Sequence, residues 1–175
     1  MTRRRWHRVV VLVLSAVSSA GLVACGGGDG GAAQDPEPNI APFDDVSLPD
    51  SLLGLRVGKE DIGRALAKVR RTYVDESALF ALRSEDELVQ ATLQVNRFEA
   101  KERYRTTSFQ RTIVNQLGNA APLATRMGSR TVWRTTGTNQ VVAVWFDDRV
   151  MYLLAIRGDF DRPRSLIREL VEREQ

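Results

Sequence analysis

The 175 residues carry 25 Lys and Arg against 22 Asp and Glu, a formal net charge of +3, with one cysteine and one histidine. Arg3, Arg4, Arg5 and Arg8 precede Cys25 and no acid does. From Cys25 onward the count is therefore 21 basic to 22 acidic, and the excess that would draw the chain to nucleic acid is gone. His7 and Cys25 both lie at the start of the chain. The sequence beyond them offers no histidine general base, no thiolate nucleophile, no disulfide and no Cys- or His-ligated metal.

The N-terminal stretch has the parts of an export signal: the four arginines, an apolar run opening at Val9, and small residues toward Ala24. The run weakens through Ser15, Ser18, Ser19 and Gly21 and falls short of the roughly 17–25 apolar residues a membrane-spanning helix needs. It ends at Leu22-Val23-Ala24-Cys25, directly before Gly26-Gly27-Gly28. These four residues resemble the lipobox of bacterial lipoproteins. The resemblance implies cleavage between Ala24 and Cys25, a diacylglycerol thioether on the Cys25 sulfur and acylation of the new amino end. Two or more chains matter, because one acyl chain holds only marginally at about 0.8 kcal/mol per buried CH₂. Ordinary cleavage after Ser18-Ser19-Ala20, leaving a secreted protein with a free thiol, is the alternative. Thr2-Arg3-Arg4-Arg5-Trp6 loosely resembles a twin-arginine export signal, but His7 stands where an apolar residue is usual.

Three regions follow: a signal over 1–24, a lipidated cysteine and Gly/Pro-rich acidic linker over 25–42, and one α+β domain over 43–175. The linker, with Asp35-Pro36-Glu37-Pro38, spans roughly 20–25 Å as a coil at about 5–6 Å per root residue. In the domain, Val46–Val57 reads as a short edge strand broken by Pro49 and Gly54. Ile62, Ala65, Leu66, Val69 and Tyr73 recur at helical spacing and predict an amphipathic helix over Lys59–Tyr73. Ala78–Leu82 reads as a strand, and Glu85-Asp86-Glu87 as a turn. Leu88–Phe98 alternates Val89, Ala91, Leu93 and Val95 with Gln90, Thr92, Gln94 and Asn96, which predicts one buried and one wet face.

Phe109, Ile113 and Leu117 make one stripe of a second helix over Ser108–Leu117, with Gly118 placed to end it. Strands follow near Leu123–Arg126 and Thr131–Thr135. Gln140–Phe146 and Val150–Ile156 form a hairpin turned at Asp147-Asp148-Arg149, and a helix begins at Pro163. Both faces of that hairpin are apolar. It is therefore predicted to be central, covered by helices on both sides, or closed on one side by a partner or apolar ligand. The expected fold is an antiparallel sheet with about three amphipathic helices packed on both faces.

Candidate sites are few. Asp147 and Asp148 could begin a calcium site, but Asp favours turns and calcium wants six to eight oxygens. Asp159 and Asp161 read as caps of the last helix. Glu85, Asp86, Glu87, Glu99 and Glu102 are the carboxylates available for hydrolysis, and none lies in a motif. Trp133, Trp145 and Tyr152 lie on neighbouring strands and either line a glycan or lipid groove or fill the core. Arg64, Lys68, Arg70 and Arg71 either meet lipid phosphate or form a solvated helix face. No catalytic residue, metal site or cofactor is assigned.

The sequence thus predicts a lipoprotein held through Cys25 at the extracytoplasmic face of the cell membrane, acting as a non-catalytic binding or scaffolding module of the envelope. Its partners would be membrane lipid, through Cys25, and an envelope protein or apolar ligand. A carboxylate-dependent hydrolase of envelope glycans and a carrier of an apolar ligand are the other readings.

Overall fold

The computed structural model describes residues 40–61, 74–117, 121–137 and 139–173. The signal, the lipobox Leu22–Cys25 and most of the linker lie outside them. So do residues 62–73 of the expected helix, together with Gly118 and Thr138.

The domain is α+β, built on one predominantly antiparallel sheet. Its strands are β1 (Ala41–Pro42), β2 (Ser51–Leu52), β3 (Leu55–Glu60), β4 (Val74–Arg83), β5 (Val89–Phe98), β6 (Leu123–Met127), β7 (Arg130–Thr136), β8 (Gln140–Asp147) and β9 (Val150–Arg157). A 3₁₀ turn, Glu102–Arg105, leads into helix α1 (Thr107–Gln116), and helix α2 (Pro163–Arg173) follows β9. The strand order is β2-β3-β4-β5-β9-β8-β7-β6, with β1 parallel to β4. Two four-stranded meanders thus meet where β5 pairs with β9. Among the described residues no helix is long and apolar enough to cross a membrane.

Local chemistry explains most of the elements. Leu53 (φ 50°) and Gly54 (φ 80°) take the left-handed backbone needed to join β2 to β3 in two residues. Lys59 and Glu60, expected to begin a helix, instead end β3, opposite Phe80 and Leu79. Lys59 Nζ reaches Asp44 Oδ1 at 2.7 Å, and Glu60 pairs with Arg83. These long-range partners outweigh the weak helical preference of two residues. The Thr106 hydroxyl caps α1 by accepting from the Phe109 amide at 3.3 Å. Arg162 C=O accepts the first bond of α2 from the Leu166 amide at 3.1 Å, while Asp159 turns back to a bidentate pair with Arg157 and does not cap the helix. A fork of that kind orients both carboxylate oxygens toward the Arg157 guanidinium and away from the helix.

Two apolar clusters hold the sheet. Ala91, Leu93 and Val95 of β5, Tyr152, Leu154 and Ile156 of β9, and Ala143 and Trp145 of β8 pack with Leu166, Ile167, Leu170 and Val171 of α2. Val142, Val144 and Phe146 of β8 and Met151 and Leu153 of β9 pack with Ile113, Val114 and Leu117, and with Phe98 and Tyr104. The β8–β9 hairpin is central, as its apolar alternation predicts.

The predicted wet face of β5 is buried at its centre: Gln94 is 5 % exposed and Asn96 is fully buried. Asn96 Oδ1 accepts from Ser77 Oγ at 2.7 Å and from Gln94 Nε2 at 2.9 Å. Polar side chains can line a buried face when they supply one another's partners, a condition alternation cannot reveal. Replacing Asn96 by Ala strands the Ser77 hydroxyl and the Gln94 amide. It should cost about 1–3 kcal/mol, read as a lowered urea midpoint with unchanged slope; an unmoved midpoint would refute the buried network.

The Arg157 hydrogen bonds and charge hold the Asp159 carboxyl below its ordinary value of 3.8. A lowered carboxyl pKa stabilises the fold above the ordinary value, and that contribution is lost as the pH falls through the folded-state pKa. A carbon-detected NMR titration should give Asp159 a midpoint below the ordinary one, and Arg157→Gln should move it back up.

Candidate functional site

The tip of the β8–β9 hairpin gathers three parts of the domain. Asp148 sits at φ 49°, a left-handed conformation that Asp tolerates better than most residues. Its Oδ1 is 2.9 Å from Arg105 Nε of the 3₁₀ turn. Arg149 Nη1 donates to Phe98 C=O at 2.7 Å, tying the tip to the end of β5. Asp147 Oδ2 accepts from Arg130 Nη2 at 2.7 Å, and Arg130 Nη1 donates to Val171 C=O of α2 at 2.9 Å. Arg130 follows the Gly128-Ser129 turn at the head of β7, where Gly128 has φ 57°. Its side chain is 9 % exposed and that of Asp147 54 %.

Beside this clamp opens a cavity of about 660 Å³ between the first turn of α1 and the ends of β7 and β8. Thr107 and Gln110 line it from α1, Ser129, Arg130, Thr131 and Trp133 from the β6–β7 hairpin, and Phe146 and Asp147 from β8. Trp133 is half-buried and meets Phe146 edge-on, with ring centroids 5.7 Å apart and planes at 82°. The lining thus combines three hydroxyls, one amide, a compensated Arg–Asp pair and an aromatic wall. Hydroxyls and amides both donate and accept, so the site suits a ligand that does the same.

The cavity separates residues that looked alike in the sequence. Trp133 lines it, whereas Trp145 is fully buried and Tyr152 8 % exposed, stacked at 5.3 Å and 4° in the core. The Trp145 Nε1 donor has no hydrogen-bond acceptor among the described residues. Asp147 and Asp148 form the expected turn, each oriented by an arginine from elsewhere. Glu87 pairs with Arg56, Glu99 with Lys101 and Glu102 with Arg105. Glu85 and Asp86 lie exposed at the β4–β5 turn. Among the described residues no group of three His, Cys, Asp or Glu side chains is arranged to hold a metal ion. Ala24, Cys25, Arg64, Lys68, Arg70 and Arg71 lie outside the described residues.

Arg130, Thr107 and Gln110 carried no signal in the sequence, because what defines them is proximity between residues far apart in the chain. No family model, curated protein or solved structure matches the chain.

The Arg130 clamp has a testable energetic role. Arg130→Ala removes the partner of Asp147 and a donor to the last turn of α2, at a cost of about 1–3 kcal/mol. Arg130→Lys should recover part of that, since an ammonium cannot reproduce the two-pronged geometry. Equal urea midpoints for wild type and Arg130→Ala would remove the clamp from the account.

Proposed function

We propose that the chain is an exported lipoprotein, fastened through Cys25 to the extracytoplasmic face of the cell membrane, and that its α+β domain is a non-catalytic binding or scaffolding module of the envelope. In this reading residues 1–24 are removed as the signal, and residues 25–42 form the tether. The sheet is closed on both faces by about three amphipathic helices. The observation that carries the binding role is the open cavity at the end of β7 and β8, walled by hydroxyl, amide and aromatic side chains. Its charged pair, Arg130 and Asp147, is internally compensated.

Two features favour binding over hydrolysis there. Glycoside hydrolysis without histidine calls for two carboxyl groups flanking the bond, about 5–9.5 Å apart. Among the described residues the cavity lining brings one carboxylate, Asp147, and Arg130 holds it in an ion pair. The anchor rests on the lipobox Leu22-Val23-Ala24-Cys25 and the Gly-rich stretch behind it.

The anchor has a direct test. Cells expressing the full chain and fed radioactive palmitate should label it, and the label should sediment with membranes. Cys25→Ser should lose both label and sedimentation. Labelling that survives Cys25→Ser would overturn the thioether. Photo-crosslinking from Gln110 in intact cells should then trap an envelope component that Trp133→Ala does not trap.

A further inference from the structure

We infer that the cavity between α1 and the β7–β8 end is a saccharide subsite, taking a neutral sugar ring with one face or edge against Trp133. This rests on the binding-module reading above and names its ligand class. Trp133 is half-buried and braced at 82° by Phe146, so its ring is held in place instead of turning to follow a ligand. A fixed indole offers an apolar wall to the C–H groups of a sugar, at little conformational cost. Around it, Gln110, Thr107, Ser129 and Thr131 supply groups that both donate and accept, matching the dual character of sugar hydroxyls. Asp147 adds a charged acceptor whose orientation is fixed by Arg130 Nη2 at 2.7 Å while 54 % of its side chain stays exposed. Charge-assisted acceptors of this kind make the stronger hydrogen bonds to hydroxyl donors.

The same pair argues against an ionic ligand. Arg130 is engaged on one side by Asp147 and on the other by the Val171 carbonyl, and its side chain is 9 % exposed. A phosphate or carboxylate would have to displace Asp147, and an ammonium ligand would meet a carboxylate whose charge Arg130 already compensates. An uncharged polyhydroxylated ring needs neither the displacement nor a free charge. The volume, about 660 Å³, falls in the range of small-molecule sites, about 300–1,000 Å³.

The sugar could arrive as a free oligosaccharide or as the headgroup of a neutral glycolipid. Register bears on the second source. Ala41 lies opposite Glu76, Glu76 opposite Arg97, Arg97 opposite Val150 and Val150 opposite Asp147, so the described chain enters at the end of the sheet where the cavity opens. Strands lie about 4.8 Å apart, which puts the entry and the cavity a few strand spacings from each other on one rim.

The experiment uses the full chain in a zwitterionic detergent without sugar headgroups, observed through the ¹⁵N-labelled indole N–H signals of Trp133 and Trp145. Chitotetraose and maltotetraose are titrated in solution. In a second arm, phosphatidylcholine vesicles with or without digalactosyl diacylglycerol are added to the reconstituted protein. The expected result is a saturable shift of the Trp133 signal with Trp145 unmoved, from an oligosaccharide for a soluble source or from the glycolipid vesicles for a headgroup. For the variants that lack the reporter indole, binding is read by isothermal titration calorimetry beside wild type: Trp133→Ala should weaken it about tenfold or more, and Trp133→Phe less. Gln110→Ala, on the helix surface, should weaken it severalfold without altering the fold. The proposal is overturned if neither sugar source moves Trp133, if Gln110→Ala and Trp133→Ala both bind as wild type does, or if inorganic phosphate produces the saturable shift. Failure here with crosslinking from Gln110 intact removes the saccharide and leaves the binding module. Sugar binding by a chain that takes up no palmitate removes the anchor and leaves the subsite.

Discussion

The antiparallel ladder between β5 and β9 is the constraint on which the rest of the domain depends. Without it the chain would form two separate four-stranded meanders, each exposing an unpaired edge of N–H and C=O groups. With it, Leu93 meets Leu154 and Val95 meets Tyr152 across the junction, all in the buried layer beneath α2. The ladder joins segments distant in sequence, so its closure has an entropic cost that local turns do not carry. What offsets that cost is that β9 is buried on both faces, contributing apolar area to both clusters at once. The hairpin β8–β9 therefore has little freedom: a one-residue slip would exchange its faces, bringing Met151 and Leu153 under α2 and Tyr152 and Leu154 under α1.

That rigidity is transmitted to the rim. A single row of residues crosses the sheet end, through Glu76, Arg97, Val150 and Asp147, and beyond Asp147 the ion pair to Arg130 carries it into β7. Two of its contacts are charge pairs, Glu76–Arg97 and Asp147–Arg130, and Arg97 also reaches Asp45 at 3.1 Å and stacks over the Phe43 ring at 4.1 Å. These pairs are partly buried, with Arg130 9 % and Arg97 and Glu76 28 % and 29 % exposed, and contribute to stability. They are also positional, since each fixes where a strand end or turn stops. The cavity lies where this row meets the first turn of α1. It therefore inherits a wall from the sheet and a rim from the hairpin tip, with no element of its own devoted to it.

Much of the fold was legible in the sequence, because it follows from local alternation and turn chemistry. β8 and β9 have apolar residues on both faces and could only be interior strands. Asp147-Asp148-Arg149 marked their turn, and the stripe of Phe109, Ile113 and Leu117 marked α1. Where the reading failed, a long-range partner had overruled a local signal. Gln94 and Asn96 look like a wet face until Ser77, from the neighbouring strand, completes their hydrogen bonds. Lys59 and Glu60 look helical until β4 and Asp44 claim them. Asp159 looks like a cap until Arg157 takes both its oxygens. The cavity was less legible still: Trp133 and Trp145 are equivalent by spacing, and what separates them is which side of the sheet α2 covers, a fact held in no window of the sequence.

Under the lipid-anchor proposal, the geometry of entry gives the tether a functional meaning beyond attachment. The described chain enters at β1, against β4, and Asp44, Asp45 and Phe43 fasten that entry to Lys59, Arg97 and the core. As the flexible tether proposed, the stretch from Cys25 to that point would span roughly 20–25 Å, close to the width of five strands at about 4.8 Å each. An anchored domain would thus have its point of attachment and its cavity on the same rim, within a tether's reach of the bilayer. A ligand displayed on or near the membrane surface would meet Trp133 and Asp147 without the domain having to turn over. A pocket at the opposite end of the sheet, on the same tether, would face away from the anchor. On that proposal, the end of the sheet at which the chain enters would bear on what the cavity can reach, alongside the residues that line it.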